Sequence, residues 1–242
     1  MPSVIVPARR LDPEWMDRTD NPPERLHRAL DDIHSVNRFL GGSKILVDGV
    51  RPFLVGAPDN EPFTVLDVGT GGGDIPLALV AEARRLGRSV RIVALDRDPA
   101  TLAYARDKTA SAPEIEIQAG DAFRLSFAKA SFDVVTASMF LHHFPHDDAV
   151  RLVSGFRAVA RRAVVINDLR RHVLPWAFIA LVGRITRRNP MFVHDAPLSV
   201  LRGFTGEELV AIARDAGAVA PSIRYLFPFR LLLTVPAGDR AS

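Results

Sequence analysis

The residues of this 242-residue chain best suited to chemistry are Asp67, Asp96 and Asp121, glycines 69, 71 and 73, and the pair His142 and His143. Residues 63 to 74 (FTVLDVGTGGGD) put an apolar run, typical of a strand covered on both faces, directly before a glycine turn, with Asp74 placed to cap a following helix. A turn of this kind cradles a nucleotide-type cofactor. A dinucleotide fingerprint starting at Gly69 would need glycine at 74, where the chain has Asp74. The Asp67 carboxylate at the mouth of the turn would repel a pyrophosphate and attract a cation. Asp96 ends a second strand, Val90 to Leu95, where a carboxylate can take two ribose hydroxyls. Asp121 follows a third, Ile115 to Ala119, where it can accept from an exocyclic adenine amine.

An adenosine ligand that also carries an ammonium and a sulfonium is S-adenosylmethionine, which these charges favour over NAD. The fourth strand, Phe132 to Ser138, runs into Met139, Phe140, Leu141, His142 and His143. Histidine titrates near neutrality, so it suits removal of a proton from a hydroxyl such as a phenol, whose pKa is about 10. Asp168, after a fifth strand at residues 163 to 166, would orient such a base and stabilise its cation. His142 and His143 are both open as the base.

The runs VLDVGTGGGDIPLAL, ALDRDP, AGDAF and FDVVTASMFLHHF occur in this order between about residues 63 and 168, and FTGEELVAIARDAGA follows at 204 to 218. Together they resemble the class I S-adenosylmethionine-dependent methyltransferases. Within that family the chain is similar to small-molecule enzymes of quinone biosynthesis and to phenolic-lipid O-methyltransferases. The resemblance implies a doubly wound, Rossmann-like α/β fold: a mostly parallel sheet with an antiparallel last strand, an N-terminal helical lid and a helical insertion after strand five. It implies S-adenosylmethionine held by Asp67, Gly69, Thr70, Gly71, Asp96, Arg97, Asp121, Ala122 and Ser138. His142, His143 and Asp168 are the implied catalytic residues, and strands one, four and five side by side would bring them together. Asn37 and Arg38 on the lid, with Met139, Arg171, His172 and Trp176, are the candidate acceptor residues.

The implied reaction is methyl transfer to a hydroxyl of a small aromatic acceptor: a phenol, a quinol or a polyketide-like ring. Two alternatives stay open: C-methylation through the same phenolate, and a cofactor-binding partner protein without turnover. An NAD-dependent reductase is disfavoured, because Tyr104 and Lys108 stand together on a surface helix, the wrong element for a Tyr-x-x-x-Lys pair.

The supporting elements divide the chain into a lead and lid over residues 1–60 and a catalytic unit over 61–242. Glu24 to Leu40 reads as an amphipathic helix stopped by Gly41 and Gly42, and Ser43 to Phe53 as a short helix. Asp147 to Arg161 reads as a helix, and residues 172 to 188 as the insertion. Thr205 and Glu208 form a capping box, and a hairpin of Pro221 to Phe227 with Arg230 to Val235 follows.

Composition narrows the classes. With no cysteine there is no disulfide framework, no iron–sulfur cluster and no thiol nucleophile. No metal site is expected. The net charge of +3 is carried by 28 arginines against 3 lysines. The arginine clusters at 161–162, 170–171 and 184–188 read as solvated faces and helix ends, with an acidic substrate or a membrane surface as the alternative. The start of the chain lacks a signal-peptide core and residues 173 to 183 are too short to span a bilayer, so a cytoplasmic location is expected. The fourth strand lacks the Asn/Asp-Pro-Pro-Tyr/Phe element, and no aromatic-rich basic strand pair offers a stacking platform, which argues against nucleic acid as a partner. A homodimer is a candidate assembly.

Overall fold

The structure, a computed structural model, describes residues 6–15, 41–186 and 190–237. The expected lid helix over Glu24 to Leu40, with Asn37 and Arg38, lies outside them. Helix α1 (Gly42–Val55) precedes β1 (Phe63–Val68), α2 (Asp74–Arg85), β2 (Val90–Asp96), α3 (Pro99–Thr109) and β3 (Ile115–Ala119). Then come β4 (Phe132–Ser138), a 3-10 turn at Leu141–His143, α4 (His146–Val159), β5 (Ala160–Leu169), α5 (Val173–Thr186), α6 (Pro190–Arg202) and α7 (Gly206–Asp215). A hairpin of β6 (Ser222–Leu226) and β7 (Arg230–Pro236) closes the described chain.

The seven strands form one sheet in the order β3-β2-β1-β4-β5-β7-β6. The first five are parallel, and β7 runs antiparallel to β5. In β1 and β4 nearly every residue is buried, because helices cover both faces and the usual apolar–polar alternation disappears. One core on one face contains Leu66, Val135, Phe156 and Leu209; the opposite face packs Leu46, Val65, Leu79 and Val134. Phe156 is fully buried, and truncating such a side chain costs about 3–5 kcal/mol. The sheet order reverses between β1 and β4, so the crevice for a ligand opens beyond their C-terminal ends. The motifs that carry chemistry end at this place.

Several boundaries differ from the sequence reading. The fifth strand begins at Ala160 and runs to Leu169, so Asp168 sits inside it. Arg162 there pairs with Asp133 at 3.0 Å. This buried acceptor holds at the strand edge a basic pair that composition alone places in a helix. Gly73, with φ of 79°, caps α2 in place of Asp74, which becomes the first helical residue. A second helix, α6, follows the insertion helix in the sequence. The cap at Asp98 accepts from the Thr101 N–H at 2.7 Å, and the Thr205–Glu208 capping box is present.

Candidate active site

The cofactor end of the crevice is built by the β1 turn. Gly69 has φ of 68°, and a Cβ there would collide with the Phe140 ring, so the turn can lie close to the fourth-strand loop only with glycine. Asp67 is buried beneath it and accepts from Thr136 Oγ1 at 2.7 Å. Its other oxygen, Oδ2, and the neighbouring Thr70 Oγ1 are buried with no hydrogen-bond partner. Thr70 lies close enough to act on the Asp67 carboxylate, but neither atom has a hydrogen bond of full geometry, which leaves acceptor capacity that a ligand donor would complete. Burial pushes the Asp67 carboxyl up to about 6, against the opposing pull of Thr136 and Thr70. The Asp96 carboxylate is aimed by three backbone donors: Oδ2 takes the Gly71 N–H at 3.1 Å, and Oδ1 takes those of Arg97 and Asp98 at 2.7 and 3.2 Å. Asp121 Oδ1 accepts from the Phe123 N–H at 2.9 Å, so it shapes its own loop as well as facing the crevice. Ser138 is held by Asn167, whose Nδ2 donates to its Oγ at 3.1 Å.

This arrangement fits S-adenosylmethionine, because carboxylates able to accept from ribose hydroxyls and from an amino group line the same crevice. Asp67 gives the fit a measurable sign. Only the ionised carboxyl attracts a cation, so a ligand ammonium lowers its pKa and binding expels a proton near pH 6. Affinity for S-adenosylhomocysteine should therefore fall as pH falls through this value, by about fourfold between about pH 7.5 and about pH 5.5. Calorimetry in buffers of different ionisation enthalpy measures both effects. Affinity independent of pH, with no proton released, would place the ammonium elsewhere.

The second part of the site lies on the 3-10 turn, where buried Leu141 anchors the chain and positions the next side chain. His142 Nδ1 lies 2.7 Å from Asp168 Oδ1, and the His142 backbone N–H donates to Oδ2 at 3.2 Å. Asp168 is fully buried, yet the His142 pairing and hydrogen bonds hold its carboxyl below the ordinary value, against the burial that would raise it. An ionised carboxylate only accepts, so Nδ1 carries a proton, and in the neutral imidazole Nε2 is the acceptor. The His143 ring packs at a tilt against His142, with centroids 4.2 Å apart, and also lines the crevice, but it is His142 whose ring bonds Asp168. Arg202 fixes the turn from behind by donating to the carbonyls of His142 and His143 at 3.3 and 2.8 Å.

Both parts open into one cavity of about 1790 Å³, more than one small ligand fills. Asp67, Gly69, Thr70, Gly71, Asp96, Arg97, Asp121, Ala122, Ser138, Met139, His142 and His143 all line it. Asp168 stands behind His142. Met139 has φ of 55°, a backbone state that costs a non-glycine residue about 1–3 kcal/mol. It is held there by its N–H bond to Asn167 O at 2.8 Å and by Arg230 Nη1, which donates to its sulfur. Burial lowers the Arg230 guanidinium to about 10, while Asp168 acts in the opposite sense.

Three acceptor candidates lie elsewhere. Arg171 is a buried clamp, donating to both Glu208 oxygens at 2.9 and 2.7 Å and to Gly203 O at 2.7 Å, which joins the start of α7 to β5. His172 uses Nδ1 to accept from the Leu174 N–H at 3.1 Å, capping α5. Trp176 is outside the cavity lining and partly exposed; Leu174, Phe178 and Ile179 of the same helix form the wall instead. Phe192, Phe227, Phe229 and Glu14 complete it. Glu14 and Arg230 were missed because neither belongs to a local pattern: one lies in a proline-containing lead and the other opens a hairpin strand. Glu14, His142 and His143 each bring a donor atom to within 4.8 Å of the others, a spacing that could hold a metal ion. Among the described residues no helix is long and apolar enough to cross a membrane.

A family model described as a methyltransferase domain matches residues 65–163. The chain is 42% identical over 73 residues to a 2-phytyl-1,4-naphtoquinone methyltransferase of Thermosynechococcus vestitus, a match covering 30% of this chain and 31% of that one. It is 40% identical over 86 residues to a demethylmenaquinone methyltransferase of Deinococcus radiodurans, covering 35% and 34%. The chain thus spans about a third of the length of these curated relatives. A solved S-adenosylmethionine-dependent methyltransferase from Aquifex aeolicus shares the fold with a TM-score of 0.62 at 15% identity, covering 90% of this chain and all of that one. With the glycine turn, the three acids at the strand ends and the reversed sheet order, the match over residues 65–163 supports a class I S-adenosylmethionine-dependent methyltransferase domain, and the Aquifex structure shares its fold.

Proposed function

We propose that the protein transfers a methyl group from S-adenosylmethionine to a hydroxyl of an apolar aromatic acceptor, with His142 as general base and Asp168 as its positioning residue. The observation that supports this most is the 2.7 Å Nδ1–Asp168 pair on the wall of a cavity that also carries Asp67 and Asp96. The bound cofactor supplies a methyl carbon already activated by its sulfonium. The chain must then hold the acceptor oxygen in line and keep water out. As the oxygen takes the methyl group, its proton passes to His142 Nε2, and Asp168 stabilises the resulting imidazolium. Asp67, Asp96 and Ser138 hold the cofactor, whereas Met139, Phe178, Phe192 and Phe229 enclose the acceptor.

The names of the two relatives refer to a phytyl-substituted naphthoquinone and to demethylmenaquinone, the first a ring with a long apolar tail. An apolar wall of phenylalanine, leucine and isoleucine suits a tailed ring of that kind. Affinity in a series of 4-alkylphenols should rise with chain length, each buried methylene contributing up to about 0.8 kcal/mol. Methyl transfer scored at sub-saturating acceptor follows the same order. Flat or falling activity along the series would show that the wall does not receive the tail.

A further inference from the structure

The N-terminal segment brings a second carboxylate to the base. Residues 6–15 are tied to α6 and to the end of the 3-10 turn: Arg9 Nε donates to Arg202 O and Nη2 to Phe144 O, both at 2.8 Å, the Arg10 N–H to Leu201 O at 3.1 Å, and the Trp15 N–H to Asp195 Oδ1 at 2.9 Å. These bonds place Glu14, 2% exposed, against the cavity. Its Oε1 accepts from Ser199 Oγ at 2.9 Å and lies 3.7 Å from Arg202 Nε, so the site is built and its charge is paired. The same oxygen stands 3.8 Å from His142 Nε2. That separation exceeds a hydrogen bond, so two groups able to accept face the cavity side by side. The Glu14 carboxylate and, in the neutral imidazole, Nε2 each keep acceptor capacity that a pair of ligand donors would fill.

We propose that Glu14 and His142 Nε2 form a two-acceptor subsite for neighbouring hydroxyls, one to be methylated and one to anchor, so that the preferred acceptor is a catechol-type ring. The proposal rests on the reading of His142 as the base. Adjacent ring hydroxyls stand roughly 2.8 Å apart on one edge, and each donates over about 2.7–2.8 Å, a geometry that spans acceptors 3.8 Å apart. In a 1,3- or 1,4-diol the second hydroxyl leaves that edge. Buried charge on Glu14 makes the anchoring bond one of the stronger kind.

The test compares four ligands carrying the same alkyl chain, a catechol, a resorcinol, a hydroquinone and a phenol, for binding to the S-adenosylhomocysteine-loaded protein in the presence of a chelator. The catechol should bind more tightly than the other three by roughly tenfold to a hundredfold, the value of a hydrogen bond to a charged group. In Glu14→Ala this advantage should shrink to within about threefold, while S-adenosylhomocysteine still raises the melting temperature and so reports an intact fold. Equal binding of catechol and phenol to the wild-type protein would overturn the subsite, and that comparison holds even if the variant does not fold. So would a preference that persists in Glu14→Ala, or one that appears only with added divalent metal, which would make the Glu14, His142 and His143 group a metal-chelating site. Catechol preference without methyl transfer to any ring would leave the subsite standing and remove the proposed reaction; failure of all four to bind would overturn both.

Discussion

His142→Ala is expected to lower turnover by about a hundredfold to ten-thousandfold, the usual size of general-base assistance, with affinity for S-adenosylhomocysteine nearly unchanged. The reason is local. Nδ1 is engaged by Asp168 and the ring lines the cavity, so the imidazole is oriented to take a proton, while Asp67 and Asp96 stand on other strands, β1 and β2. His143→Ala should lose much less, since Asp168 engages its neighbour. Asp168→Asn should fall between them, because an amide can still accept from Nδ1 but no longer stabilises the imidazolium by charge. Steady-state rates at saturating cofactor, with binding measured separately, distinguish these cases. Full activity in His142→Ala at neutral pH would mean that positioning alone carries the reaction.

Asp96→Ala should weaken cofactor binding by roughly 2 to 4 kcal/mol, since two ribose hydroxyls lose a charged acceptor. Backbone N–H groups of Gly71, Arg97 and Asp98 already orient this carboxylate, so alanine also frees the glycine turn from the end of β2. Asp96→Asn separates the two effects: one amide oxygen still accepts from the turn, while the charge is gone. A calorimetric titration of each variant with S-adenosylhomocysteine measures them. Unchanged affinity in both would place the ribose away from Asp96.

The convergence of the cofactor candidates was legible because each stands at or just after the C-terminal end of a strand of a parallel sheet. The pattern of strand, turn and helix places Asp67, Asp96 and Asp121 at successive C-terminal ends, and the sheet order then brings them together. The acceptor half was legible only in outline. Its wall is assembled from the lead, the insertion and the last hairpin, where a side chain's direction depends on tertiary contacts that spacing does not encode. Arg171 illustrates this: next to an exposed-looking Arg170 it reads as a pocket residue, yet its guanidinium satisfies Glu208 and the Gly203 carbonyl inside the protein. Asp168 was found because β5 lies beside β4, whereas Glu14, 128 residues before His142 in the sequence, could be placed only by the fold.

The most direct measurement of the central claim follows a carbon-13 methyl group from labelled S-adenosylmethionine into a long-chain alkyl phenol or catechol, with the product examined by carbon-13 NMR. The account predicts one equivalent of S-adenosylhomocysteine per labelled product and a methyl resonance in the methoxy region, both lost in His142→Ala. A labelled methyl on a ring carbon would contradict transfer to the hydroxyl, and no acceptor-dependent S-adenosylhomocysteine with any of these rings would contradict the proposed reaction itself.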